Sequence, residues 1–278
     1  MIAKNLLIAQ KSVLLMVILA VAASAFGQEQ QDSRRSQGIS GQATSACQST
    51  FTSGSSLTYF QFCTTINGNV TEYQTPAGFE HIHEGAVMEG YSICDFNTLT
   101  EYYDYADGGD SGNWQPSVIS QPGGPGTFPL KITRTTSDGV FSLIQTFTRT
   151  TNVPTVNFTM KLTNLTSGSK DYALVRFADL DTNNGENGLQ DEFDFDHDSA
   201  WGYNPGFNTY GVSLFAVPSN TTRFSFIQNT PVGPDPCSPV ANLPSTTPYF
   251  GDGSVGYDWN GTLKAHKSIT VNGGYRHF

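Results

Sequence analysis

Alternation of apolar and polar residues between positions 130 and 177 limits the folds open to this chain more than any other feature. From position 156 the sequence VNFTMKLT carries an apolar side chain at every second residue, as a strand with one buried face requires. Residues 172–177 are almost continuously apolar, which indicates a central strand covered on both faces. Turn residues separate these segments, and none has the spacing of an amphipathic helix. Nearer the N-terminus, residues 57–62 predict a strand, and Asn67-Gly68 after it predicts a hairpin turn. The pattern predicts an all-β fold, a large antiparallel two-sheet β-sandwich.

The N-terminus has the order of a secretory signal peptide. Lys4 and Lys11 precede an apolar run that ends in small residues. The alternative is a membrane anchor, but the run is shorter than the ~20 residues that a bilayer crossing needs. We therefore expect residues 1–25 to be a signal peptide and residues 26–45, which are rich in Gln and Ser, to be a disordered leader. Residues 46–278 contain no linker and predict one sandwich domain.

The net charge of the chain disfavours two classes of binding partner. Removal of the signal peptide leaves 12 basic against 24 acidic residues, a net charge of −12. Such a surface repels nucleic acid and anionic membranes, so we expect no nucleic-acid partner and no membrane insertion after cleavage. Only 14% of residues are charged, a proportion that we interpret as typical of exported β proteins. We expect a secreted or periplasmic protein.

Four cysteines in an exported chain indicate two disulfides rather than a metal cluster. Cys47 and Cys63 flank a Ser- and Gly-rich turn signal and can face each other across a hairpin. Of the three pairings that four cysteines allow, we favour Cys47 with Cys63. Cys94 with Cys237 then follows by elimination.

The segment 179–198 is dense in carboxylates and contains no Lys or Arg. Closely spaced oxygen ligands suit calcium. The predicted ligands are Asp179, Asp181, Asn183, Asp191 and Glu192. The spacing departs from an EF-hand, because the glycine comes one position late and the twelfth position is Gln. The sequence predicts a structural calcium site in an acidic loop, and the alternative is a solvated loop without an ion.

A second alternating set follows in the same segment. If the chain is extended there, Asp194, Asp196 and Asp198 share one strand face. Repulsion between these carboxylates would also be relieved by a cation.

His81 and His83 form the one closely spaced histidine pair. Two histidines on one strand face suit a transition metal. No second histidine motif follows, so we favour a partly exposed strand edge.

Three tryptophans lie in segments rich in Gly, Asn and Asp. Trp114, Trp201 and Trp259 each combine an apolar ring with neighbouring amides or carboxylates, the chemistry that sugar rings need. They are the predicted ligand-binding residues. The alternative is that the rings cap the ends of the sandwich.

The long strands that lead into Arg176-Phe177-Ala178-Asp179-Leu180-Asp181 resemble those of uncharacterised exported bacterial β-sandwich proteins. More distantly, residues 130–215 are similar to the large sandwich of galactose-mutarotase-like domains. The resemblance implies the fold. It transfers no catalytic residue, because no histidine pair here matches the positions of such an enzyme.

These observations predict an exported recognition protein, with polysaccharide as the expected ligand class, and they favour binding over catalysis without deciding between them. Two alternatives stay open. One is a carbohydrate-active enzyme, a lyase or hydrolase, on the same sandwich. The other is a structural or surface protein without a ligand.

Overall fold

Antiparallel strands make up almost all of the regular structure. The computed structural model describes residues 46–82, 89–150, 153–182, 191–207, 210–229, 233–239 and 243–278. In chain order the strands are β1 (Ser49–Ser53), β2 (Phe60–Thr64), β3 (Val70–Gln74), β4 (Glu89–Asp95), β5 (Thr100–Tyr105), β6 (Gly109–Asp110), β7 (Val118–Ser120), β8 (Leu130–Thr135), β9 (Phe141–Arg149), β10 (Thr155–Asn164), β11 (Lys170–Asp179), β12 (Glu192–Phe195), β13 (Ser199–Tyr203), β14 (Gly211–Ala216), β15 (Thr222–Gln228), β16 (Tyr249–Phe250), β17 (Ser254–Leu263) and β18 (Ser268–His277).

The strands form a sandwich of two large sheets with a small third sheet. The nine-stranded sheet has the order β16-β12-β13-β14-β18-β10-β9-β8-β7, and the six-stranded sheet has the order β15-β17-β11-β4-β5-β6. Strands β1, β2 and β3 form the third sheet. Apolar side chains from all three sheets join in one core. The prediction of an all-β sandwich is confirmed.

Strand β11 lies in the middle of the six-stranded sheet, between β17 and β4. Every residue from Tyr172 to Asp179 is buried. The prediction of a central strand covered on both faces is therefore confirmed. Because side chains alternate along a strand, Leu174 and Arg176 face the sandwich interior, whereas Val175, Phe177 and Asp179 face the opposite side.

The Asn67-Gly68 signal marks the turn between β2 and β3, which pair as a hairpin. Gly68 has a φ of 95°, which favours glycine because it has no Cβ. The predicted strand over residues 57–62 is partly wrong. Ser56–Thr58 forms a 3-10 turn with Leu57 83% exposed, and the strand begins at Phe60.

Both predicted disulfides are confirmed. Cys47 pairs with Cys63, and Cys94 pairs with Cys237 across a sequence separation of 143 residues. The second bond fixes a segment near the C-terminal part of the chain to β4. Disulfides of this kind are typical of oxidising compartments.

The described residues, from Ala46 to Phe278, all belong to one compact unit. The predicted signal peptide and leader, residues 1–45, lie outside the described residues, so their assignment stays a prediction. No helix in the described ranges combines the length and hydrophobicity that a membrane crossing needs.

Candidate functional site

Four carboxylates from three parts of the chain form what we call the carboxylate cluster: Asp179, Asp181, Asp191 and Asp252. Asp179 is the last residue of β11, Asp191 immediately precedes β12, and Asp252 precedes β17. Strand pairing brings these segments together, because Asp179 lies opposite Ser254 in the β11–β17 ladder. The charges of Asp181, Asp252 and Asp191 all act on Asp179.

Hydrogen bonds hold the two most buried members of the carboxylate cluster. Asp179 is 4% exposed and accepts a bond from Ser254 Oγ at 3.3 Å. Asp191 is 2% exposed and accepts one from the backbone N–H of Thr182 at 2.9 Å. Both carboxyl groups are therefore fixed in position.

Burial and like charges shift the pKa values in the carboxylate cluster upward. Burial raises the pKa of Asp179 to about 8, and the neighbouring charges of Asp181 and Asp252 add to this effect. Burial raises the pKa of Asp191 to about 6 despite the hydrogen bond from Thr182. A cation at the cluster would counter these shifts, because it favours the ionised carboxylates.

The structure brings together only part of the predicted calcium ligands. Asp179, Asp181 and Asp191 belong to the carboxylate cluster, and Asn183 lies outside the described residues. Glu192 lies opposite Tyr203 in the β12–β13 ladder, and its side chain hydrogen-bonds to that tyrosine. Asp252 was not predicted from the sequence. It is about 70 positions from Asp179, and the pairing of β17 with β11 brings the two residues together.

A second set of potential ligand atoms converges elsewhere in the described part of the chain. Oxygens of Glu101 and Asp235 and the sulfur of Cys237 all lie within 4.8 Å of one another. The Cys237 sulfur is bonded to Cys94, and a disulfide sulfur is not the thiolate that binds metals.

The prediction that Asp194, Asp196 and Asp198 share a strand face is wrong. Strand β12 ends at Phe195, and Asp196 forms a turn in which its Oδ1 accepts the backbone N–H groups of Asp198 and Ser199. Asp in such a turn competes with the extended ladder for backbone hydrogen bonds. Asp198 pairs with Arg223 at 2.6 Å.

His81 does not lie on an exposed strand edge. Its side chain is fully buried, with Nε2 at 2.8 Å from the carbonyl oxygen of Thr75. Burial lowers its pKa to about 4, so the ring is neutral at physiological pH. His83 lies outside the described residues.

The three tryptophans have different environments. Trp259 is fully buried and stacks on Tyr257, and Trp114 is 8% exposed with Nε1 donating to the carbonyl oxygen of Tyr103. Trp201 is half-buried. Sugar contact stays a prediction, and of the three rings only that of Trp201 has substantial accessible surface.

Trp201 belongs to a patch of aromatic and acidic side chains that we call the outer aromatic face: Glu192, Asp194, Trp201 and Tyr203. In the β12–β13 ladder Trp201 lies opposite Asp194 and Tyr203 lies opposite Glu192. All four alternate with buried residues such as Phe193 and therefore face away from the core. A hydrogen bond to Glu192 raises the pKa of the Tyr203 hydroxyl.

Glycines on the neighbouring strands make room for aromatic rings. A Cβ at Gly211 would lie 2.5 Å from the ring of Phe278 and 2.8 Å from Tyr203 Cβ. Phe278, 53% exposed, meets Tyr203 edge to face at 6.4 Å. The aromatic surface thus extends from Trp201 to the C-terminus. The i, i+2 spacing of Trp201 and Tyr203 is the sequence signal that could have revealed it.

Comparison with known structures identifies the fold. The chain is similar to a bacterial glucoamylase solved with acarbose, with 12% identity and a TM-score of 0.55 over 84% of this chain and 32% of that one. It is also similar to a putative aldose 1-epimerase from Escherichia coli K12, with 10% identity and a TM-score of 0.50 over 83% of this chain and 99% of that one. This chain therefore spans about a third of the glucoamylase.

The predicted resemblance to galactose-mutarotase-like sandwiches is confirmed as a distant similarity of fold. No protein-family model and no curated protein matched the sequence.

Proposed function

We propose that this protein is an exported carbohydrate-recognition protein that binds a glycan at the outer aromatic face. One observation carries the proposal: Trp201 and Tyr203 present partly exposed rings on one strand, each directly opposite a carboxylate. Sugar rings offer an apolar face for stacking and hydroxyl groups for hydrogen bonds at the rim. The rings supply the first contact, and Asp194 and Glu192 accept hydrogen bonds from the sugar hydroxyl groups.

Two further observations support the proposal. The similar structures with the higher TM-scores are a glucoamylase and a putative aldose 1-epimerase, both named for activities on carbohydrate. Fold similarity alone does not assign function. It therefore supports carbohydrate as the class of ligand, but it does not identify the residues that bind the ligand. The two disulfides support export, because such bonds persist in oxidising compartments.

An immobilised-glycan screen tests this proposal. Wild type should bind a defined subset of polysaccharides, and Trp201→Ala should lose that signal. Phe224→Ala is the matched control, because Phe224 is also an exposed aromatic residue, 51% accessible, but lies on β15 of the other sheet. Binding that Trp201→Ala retains, or that Phe224→Ala loses instead, would contradict the assignment.

The carboxylate cluster is the proposed calcium site, with a structural role. Calcium accepts carboxylate and backbone oxygens in flexible geometry. Burial, with added repulsion from Asp181 and Asp252, raises the pKa of Asp179, and a bound cation would oppose both effects. Because Asp191 directly precedes β12, an ion there would also fix the strand that carries Glu192 and Asp194.

Thermal unfolding with calcium and with excess chelator tests the calcium site. A ligand that binds only the folded state, at 100 times its dissociation constant, stabilises it by ~2.7 kcal/mol. Asp181→Ala should abolish the shift, whereas Asp171→Ala, an exposed carboxylate on the same strand–loop unit, should retain it. An unchanged midpoint at millimolar calcium would exclude the calcium site.

A carbohydrate-active enzyme is the second candidate, favoured by the raised pKa of Asp179. A carboxyl group with a pKa of about 8 keeps its proton at neutral pH and can act as a general acid. New reducing ends or unsaturated products from a bound polysaccharide would establish this function, and Asp179→Asn should abolish them while binding persists. Binding without any product supports the recognition role.

A further inference from the structure

Residues 233–239, which we call the strap, are fixed across the outer side of the six-stranded sheet. The Tyr105 hydroxyl of β5 donates to the carbonyl oxygen of Pro234 at 2.6 Å. Cys237 is bonded to Cys94 of β4. On the far side, Gln228 Nε2 of β15 donates to the carbonyl oxygen of Pro239 at 3.4 Å. Of these three attachments, the disulfide is covalent and the other two are hydrogen bonds.

Two carboxylates lie beside that disulfide. Glu101 is directly opposite Cys94 in the β4–β5 ladder. Asp235 Oδ1 accepts the backbone N–H of Cys237 at 2.8 Å, which holds its carboxylate at the strap end of the bond. As noted above, the ligand atoms of Glu101, Asp235 and Cys237 lie within 4.8 Å of one another. A sulfur and two carboxylates therefore already converge around one point.

We propose that Cys94, Cys237, Glu101 and Asp235 bind a zinc ion when the disulfide is reduced. A dithiol reductant gives two electrons and two protons to the disulfide and is itself oxidised to a disulfide. The two thiols then release their protons as the thiolates bind the metal. The ion replaces the sulfur–sulfur bond as the link between strap and sheet.

The donor set selects zinc over the hard cations. Two thiolates with two carboxylate oxygens form the four-coordinate, mixed sulfur and oxygen set that zinc accepts, whereas calcium and magnesium prefer oxygen alone. Cys237 is partly exposed, so a reductant can reach the bond, and Cys94 is fully buried. This site is separate from the carboxylate cluster and does not depend on the proposed glycan binding.

The experiment uses Cys47→Ser/Cys63→Ser protein, so that the first disulfide contributes no thiols. The protein is reduced, freed of reductant without air and titrated with cadmium, which reports thiolate ligation by ultraviolet charge transfer, and then with zinc. We expect one ion per chain in reduced protein and none in oxidised protein. Glu101→Gln and Asp235→Asn should each weaken zinc binding by at least about 10-fold, since even outer-shell partners are worth 10- to 100-fold.

Two results would overturn the proposal. One is the absence of a thiolate charge-transfer band after reduction, and the other is unchanged zinc affinity in both carboxylate variants. If the serine variant does not fold, wild type with both disulfides reduced takes its place, and the two carboxylate variants again decide the outcome. Circular dichroism of each reduced sample before titration separates loss of fold from loss of the site.

Discussion

Buried carboxylates occur both in the sandwich interior and in the carboxylate cluster, and neighbouring charges act on them with opposite sign. In the interior, Arg176 pairs with Glu89 at 2.5 Å and Arg134 pairs with Asp104 at 2.8 Å. Burial raises the pKa of Asp104 to about 6, and the charge of Arg134 opposes that rise. At Asp179 the neighbouring charges are negative and add to the effect of burial.

The sandwich interior and the carboxylate cluster therefore have different roles. The Arg176–Glu89 pair is supported by further hydrogen bonds: Arg176 donates to Gln145 at 2.6 Å, and Tyr275 donates to Glu89 at 2.6 Å. The hairpin turn contributes as well, because the carbonyl oxygen of Gly68 accepts from Arg176. The Arg176–Glu89 pair therefore lies in a hydrogen-bonded network of neutral and basic partners, whereas the neighbouring charges that act on Asp179 are all carboxylates, which a proton or a cation from solution would neutralise.

Arg176→Met should have the largest effect. It leaves the charge of Glu89 buried without its partner, and breaking a buried pair typically costs about 3–5 kcal/mol. Chemical denaturation should show a loss of that size in the free energy of unfolding. The double variant Glu89→Gln/Arg176→Met should recover part of it, and a single variant as stable as wild type would contradict the assigned role of the pair.

Asp179→Asn should have the opposite sign and a smaller magnitude. At pH 8 without calcium it removes a buried charge beside other carboxylates and should raise the free energy of unfolding by at least about 1 kcal/mol, since one pKa unit corresponds to 1.36 kcal/mol. Asp171→Asn is the exposed control. If Asp179→Asn instead lowers the free energy of unfolding in the presence of chelator, the protein already stabilises the charge of Asp179 without an ion.

The raised pKa of Asp179 also predicts that the free energy of unfolding depends on pH. The folded pKa of Asp179, about 8, exceeds its ordinary value of 3.8, so the folded state binds the proton more tightly. Its contribution to stability is fully present below about pH 4 and is lost as the pH rises through 8. Without calcium, wild type should therefore lose more stability between pH 5 and pH 8 than Asp179→Asn does. Equal losses in the two proteins would contradict this prediction.

Lys170→Met should have the smallest effect. Lys170 pairs with Asp95 at 2.6 Å; the Lys170 side chain is 16% exposed, whereas that of Asp95 is 1% exposed. Because solvent reaches the ammonium group and Asp95 keeps its hydrogen bond from the backbone N–H of Asn97, we expect a loss of about 1 kcal/mol in the free energy of unfolding. A loss as large as that of Arg176→Met would remove the distinction between interior and peripheral pairs.

Sequence patterns predicted the parts of the fold that depend on local order. Alternation identified β10, a nearly continuous apolar run identified β11, and Asn67-Gly68 identified the hairpin turn. Three of the four members of the carboxylate cluster were predicted, but Asp252 was not, because it reaches Asp179 only through the pairing of β17 with β11. Trp201 is half-buried and Trp259 is fully buried, although both occur in similar local sequences. Such differences depend on which strands become neighbours, and local sequence does not encode that.

The central claim is that Trp201 provides the glycan contact, and calorimetric titration of the glycan identified by the screen tests it most directly. Wild type, Trp201→Phe and Trp201→Ala should bind with affinities that decrease in that order, because the stacking area decreases. Their unfolding midpoints should stay similar, since Trp201 is outside the core. Equal affinities for wild type and Trp201→Ala would contradict the claim.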